Sequence, residues 1–124
     1  MISEDYVSFE TAKLLKEKGF DECTLFSYDK NGDNKDALRP FLESEGDVRR
    51  PTLQMAMKWL REVHNYDISI CLDSYVEPYD NQYYIVIRRR KDKYEEVSPC
   101  EKVYFDTYEE ACEAGIKYCL ENLI

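Results

Sequence analysis

Residues 66–90, YDISICLDSYVEPYDNQYYIVIRRR, decide the fold class. In 66–72, Ile68, Ile70 and Leu72 alternate with Asp67, Ser69 and Cys71, the period-two pattern of a strand with one buried and one wet face. Pro78, Tyr79, Asp80 and Asn81 then supply turn chemistry, and the strand pattern resumes over 82–90. There Tyr83, Ile85 and Ile87 share one face, while Tyr84, Val86 and Arg88 share the other. The connection is too short for a parallel crossover, so the two strands pair antiparallel. A third short strand is expected within 94–97 or 102–105.

Helices flank this pair on both sides. Upstream, PTLQMAMKWLREVHN (51–65) places Leu53, Ala56, Met57, Leu60 and Val63 at helical spacing, with Met55 and Trp59 widening that face. Pro51 suits a first-turn position, Arg61 and His64 suit the negative end of the helix dipole, and Asn65 suits a left-handed stop. Downstream, Thr107 and Glu110 form a T-x-x-E capping box. Tyr108, Ala111, Cys112, Gly115, Ile116, Cys119, Leu120 and Leu123 trace one apolar stripe, with Glu109, Glu113, Lys117 and Glu121 pointing outward. Gly115 in mid-stripe predicts a close approach of helix backbone to the sheet.

Near the N-terminus, VSFETAKLLKEKGF (7–20) reads as a helix capped by Ser8, with Phe9, Ala12, Leu14 and Leu15 apolar. It is closed by Gly19, with Phe20 folding back on Leu15. Residues 23–28 are β-prone and lead into Asp29-Lys30-Asn31-Gly32-Asp33, where Asn-Gly signals a hairpin turn. The alternating Asp29, Asn31 and Asp33 suggest a calcium loop, but Asn34 and Pro40 stand where such a loop needs Gly and Glu. Residues 35–50 read as polar and irregular, the segment of greatest expected mobility. The expectation is an α+β domain spanning 1–124. It has a small antiparallel sheet of roughly three to five strands and helices at about 8–18, 52–64 and 107–122 packed mainly on one face.

Composition excludes several classes. The 44% of hydrophobic residues is too rich for a disordered chain. No apolar run approaches the ~20 residues that span a bilayer, and residues 1–8 lack the charged start of a signal peptide. The five cysteines, Cys23, Cys71, Cys100, Cys112 and Cys119, contain no C-x-x-C pair, which points to free thiols in a cytoplasmic protein rather than a zinc site. A net charge of −9 opposes nucleic-acid phosphates overall. No cofactor or metal site is expected.

The three helical blocks VSFETAKLLKEKGFDE, PTLQMAMKWLREVHN and EEACEAGIKYCLENLI resemble small proteins of gut Bacteroidales bacteria and their phages and mobile elements. The resemblance covers roughly half the chain. It implies an accessory protein of a genome or mobile element and carries no catalytic residue over. Gly115 departs from it, standing where the resemblance implies Ala.

Three candidate sites follow from the residues. The 11 tyrosines, with Tyr66, Tyr75, Tyr79, Tyr83, Tyr84, Tyr94 and Tyr104 around the sheet, suggest a surface for a protein partner or a second copy of the chain. Arg88, Arg89, Arg90, Lys91 and Lys93 beside Tyr83 and Tyr84 form the one basic cluster, an alternative platform for single-stranded nucleic acid. Against this, alternation splits the arginines between faces, and charges at a strand end also deter edge pairing. A weaker alternative places a small hydrolase or metal enzyme around His64, Cys71 and Asp67, with Asp73 and Asp80 as further carboxylates.

Overall fold

The structure is a computed structural model that describes residues 2–35, 46–73, 81–91 and 93–124. Three helices, α1 (Phe9–Glu17), α2 (Leu53–His64) and α3 (Tyr108–Tyr118), alternate with six strands. These are β1 (Phe26–Tyr28), β2 (Asn34–Lys35), β3 (Val48–Arg50), β4 (Tyr66–Asp73), β5 (Gln82–Arg90) and β6 (Tyr94–Glu96). The α+β class and antiparallel pairing match the sequence reading. The strands, however, form two three-stranded sheets, β2-β1-β3 and β4-β5-β6, rather than one. The extra sheet arises because β3 lies inside the stretch read as irregular: Val48-Arg49-Arg50 pairs with all of β1. A three-residue strand bearing two arginines gives no alternation to read. The rest of that polar stretch, 36–45, and the turn expected at 78–80 lie outside the described residues.

Local chemistry sets each helix boundary. Ser8 Oγ accepts the Thr11 amide at 3.2 Å, capping α1. At its other end Gly19 adopts φ +94°. The Phe20 amide reaches the Leu15 carbonyl and the Gly19 amide the Lys16 carbonyl, the paired bonds of a Schellman stop. Pro51, expected in the first turn of α2, instead precedes the cap: Thr52 caps the helix, accepting the Met55 amide at 3.1 Å. Pro51 offers its carbonyl to the Val7 amide. Asn65 ends α2 at φ +64°. Thr107 accepts the Glu110 amide at 3.1 Å, so half of the expected capping box forms. Past Tyr118 the last helix widens into a π turn over Cys119–Leu123, closed by the Ile124 amide on the Cys119 carbonyl.

The Asp29–Asp33 loop is turn chemistry. One Asp29 carboxylate oxygen accepts the amides of Asn31 at 2.8 Å and Asp33 at 3.0 Å, and Gly32 takes φ +87°. The Asp29 carboxylate thus braces its own turn.

One core cluster joins all three helices to both sheets, with Leu15, Leu60, Ile87, Ile116 and Leu120 fully buried. Four residues expected on apolar faces are exposed: Met55 and Val63, because α2 turns Trp59 rather than its flanks inward, Leu72 at the far end of β4, and Tyr108 at the start of α3. Thr11 is buried in their stead on α1. Its hydroxyl donates to Glu113 Oε1 at 2.6 Å, and the Ser8 amide donates to the same oxygen at 3.0 Å. One turn on, Lys117 Nζ lies 2.9 Å from Glu10. Glu113 and Lys117, expected to face outward, therefore stitch α3 to the start of α1, and the Glu113 charge sits at the positive end of that helix.

Gly115 explains the closeness of α3 to the sheet. A Cβ built there would lie 2.9 Å from Ile68 Cγ2, inside any real contact distance, and 3.7 Å from Ile85 Cγ2. Ile68 is buried and β-branched, so it has little freedom to yield. Gly115→Ala gains about 1 kcal/mol of helix propensity against about 1–3 kcal/mol of overpacking. The expected outcome in urea unfolding is a net loss of about 1 kcal/mol; a gain would show that Ile68 moves freely. Glu113→Ala removes two hydrogen bonds to a charged acceptor, and the same assay is expected to show a loss of about 1–2 kcal/mol.

Candidate functional site

The register of the second sheet arranges its outer face in rows. Asp73 faces Gln82, Cys71 faces Tyr84, Ser69 faces Val86, and Asp67 faces Arg88, which in turn faces Glu96. Helices cover the opposite face, where Gly115 of α3 approaches Ile68 and Ile85. The outer face therefore carries Tyr84, Val86, Arg88 and Arg90, while Tyr83 and Arg89 belong to the helix side. The five residues singled out in the sequence do not form one surface.

Tyr84 is the centre of the outer face. Lys102 Nζ stands 4.4 Å from its ring centroid, and the Tyr104 ring meets it edge-on at 6.0 Å. The Tyr104 hydroxyl reaches Asp73 Oδ2 at 3.4 Å. The Cys71 thiol opposite, followed by partial burial, pushes the Tyr84 hydroxyl above its usual pKa. The result is a half-buried aromatic pair with an ammonium on it and Val86 beside it. Lys102 and Tyr104 come from the segment after β6, and only tertiary structure brings them to Tyr84. Tyr83, on the other face, packs edge-on against Tyr108 at 6.1 Å. Tyr66 is buried and donates to the Leu123 carbonyl. Tyr94 is exposed. Tyr75 and Tyr79 lie outside the described residues.

The basic strip is matched by carboxylates. Arg89 bonds Glu95 at 2.6 Å, with Lys91 3.9 Å from the same oxygen. That hydrogen bond raises the Arg89 pKa and lowers that of Glu95. Arg88 sits between Asp67 and Glu96 in the ladder. The hydrogen bond to Tyr94 raises the Arg90 pKa. What reads in sequence as a run of cations is, across three strands, an alternation of signs.

His64, Cys71 and Asp67 do not converge. The His64 ring packs 4.6 Å from Trp59 on the helix side, with Nε2 buried and without a partner among the described residues. Cys71 and Asp67 lie on the outer face, four residues apart, or roughly 13 Å at strand rise. Asp67 and Asp73 stand further apart still, roughly 20 Å by the same measure, too far to share a proton or an ion. No group of three His, Cys, Asp or Glu side chains among the described residues could hold a metal.

Cys112 and Cys119 are fully buried on the α3 stripe. Burial raises their pKa values to about 11 and about 12, against an ordinary 9.0. No family model matches the chain, and no curated protein or solved structure matches it significantly. No helix among the described residues is long and apolar enough to cross a membrane.

The thiols give a direct check on the packing. With a thiol-specific chromogenic reagent at neutral pH, the exposed Cys23 and Cys100 are expected to react at once, and Cys112 and Cys119 only after denaturant is added. The folded state favours the neutral thiols, so below the ordinary value of 9.0 they leave stability independent of pH. Above it the unfolded chain ionises first, and stability is expected to fall as pH rises from about 9 toward 11–12. Urea midpoints across that range, compared with a Cys112→Ala/Cys119→Ala variant, isolate the contribution.

Proposed function

We propose that the chain is a non-enzymatic interaction protein that binds a protein partner through the outer face of the β4-β5-β6 sheet. The observation that carries this reading is the Tyr84–Tyr104 pair with Lys102 and Val86. It is a half-buried aromatic patch on a sheet face that no helix covers among the described residues. Tyrosines with an apolar body and a polar tip are the side chains most used at such contacts. The flanking rows of paired charges suit the rim of an interface. The resemblance of the helical blocks supports placing the protein among the accessory proteins of a bacterial genome or mobile element. Nucleic-acid binding through Arg88–Arg90 has less support, because carboxylates stand beside each of the first two arginines.

A Tyr84→Ser/Val86→Ser variant tests the reading, since both side chains lie on the outer face and leave the core intact. Sedimentation velocity reports self-association, and affinity capture from the host reports other partners. The expected outcome is a dimer or a specific captured protein with wild type, weakened at least tenfold by the variant. A monomer that captures the same proteins with or without the substitutions would refute the assignment.

A further inference from the structure

The outer edge of β5 is paired at two points and open between them. On one side, the Val97 amide donates to the Ile87 carbonyl and the Ile87 amide to Ser98 Oγ, each at 2.8 Å. On the other side, Tyr83 and Phe105 exchange both backbone bonds at 2.8 Å. Ile85 lies midway and, by strand parity, turns its amide and carbonyl to this same edge. No hydrogen bond among the described residues reaches either group there. Proline accounts for one of the two missing bonds. Continuing the β6 register, in which Arg88 faces Glu96, brings Pro99 opposite Ile85, and Pro99 has no amide to donate. The chain swings out after Ser98 and rejoins the edge only at Phe105.

The excursion leaves a cavity of about 240 Å³ against Ile85. It is lined by Ala114 and Tyr118 of α3, Val86, Phe105 and the loop from Pro99 to Val103. That volume exceeds the roughly 150 Å³ that holds benzene and falls short of the roughly 300 Å³ at which drug-sized sites begin. It suits a single amino-acid residue. The unsatisfied donor and acceptor of Ile85 have the spacing of one strand residue, so their natural complement is another residue's amide and carbonyl. Among the lining residues Glu96 and Glu101 outnumber Lys102, which disfavours a free carboxylate.

We propose that this notch binds one extended, uncharged peptide residue, which completes the β5 edge between its two clamps and places a branched apolar side chain against Ala114 and Tyr118. The site is on the sheet edge and adjoins the Tyr84 surface, with which it shares Val86 and Lys102, but the open backbone groups of Ile85 do not depend on the function proposed above.

The test uses N-acetyl-leucine methylamide as probe, with amide exchange and chemical shifts read by NMR on the full chain. In the free protein the Ile85 amide is expected to exchange faster than those of Tyr83 and Ile87. Saturating probe should then slow it at least tenfold. The matching depsipeptide, with an ester oxygen in place of the leucine N–H, is expected to bind about five- to tenfold more weakly, the effect of one hydrogen bond. Ala114→Leu fills the notch from α3, and with an unchanged circular dichroism spectrum it is expected to abolish binding. The proposal is overturned by an Ile85 amide as protected as its neighbours in the free protein, or by no shift with probe at about 10 mM. Equal affinity for the depsipeptide, or binding that survives in Ala114→Leu, overturns it equally.

Discussion

The approach of α3 to the β4–β5 pair at Gly115 is the contact on which the other packing rests. With only a hydrogen at that position, the helix backbone settles against Ile68 and Ile85, and Cys112, Ile116 and Cys119 reach full burial around it. The same setting brings Glu113 and Lys117 to the first turn of α1, so one helix position fixes two interfaces. A bulkier residue would lift α3 from the sheet, and the hydrogen bonds to Ser8 and Thr11 would lengthen together with the loss of core contact.

Much of this frame is legible in the sequence where a boundary has its own chemistry. Ser8, Gly19, Asn65 and Thr107 act locally, through side-chain oxygens or a positive φ, and each is found where its residue type predicts. The alternation survives through the middle of β4 and β5, where Ile68 and Ile87 are buried, because a strand packed on one face must keep its period, but it fails at the end of β4, where Leu72 is exposed. The β2-β1-β3 sheet is legible only in its β1–β2 hairpin turn. β2 and β3 are two and three residues long, too short for any periodicity, and are held by pairing with β1.

The candidate surface is only half readable for a related reason. Tyr84 and Val86 follow from parity alone, but Lys102 and Tyr104 arrive from a segment with no regular pattern and join them through tertiary structure. The basic strip shows the converse: its carboxylate neighbours Asp67, Glu95 and Glu96 are dispersed in sequence and adjacent only across the ladder. The gap at Ile85 was likewise hidden, since the missing amide of Pro99 matters only once the register is known.

Trp59 is the chain's only tryptophan, and it lies between the Phe20 ring at 5.4 Å and the His64 ring at 4.6 Å. Phe20 belongs to the stop of α1 and His64 to the end of α2, so a single indole touches the C-terminal ends of both helices. Its fluorescence is therefore a built-in optical probe. Emission wavelength reports whether the two helices remain docked, with no label attached to the protein.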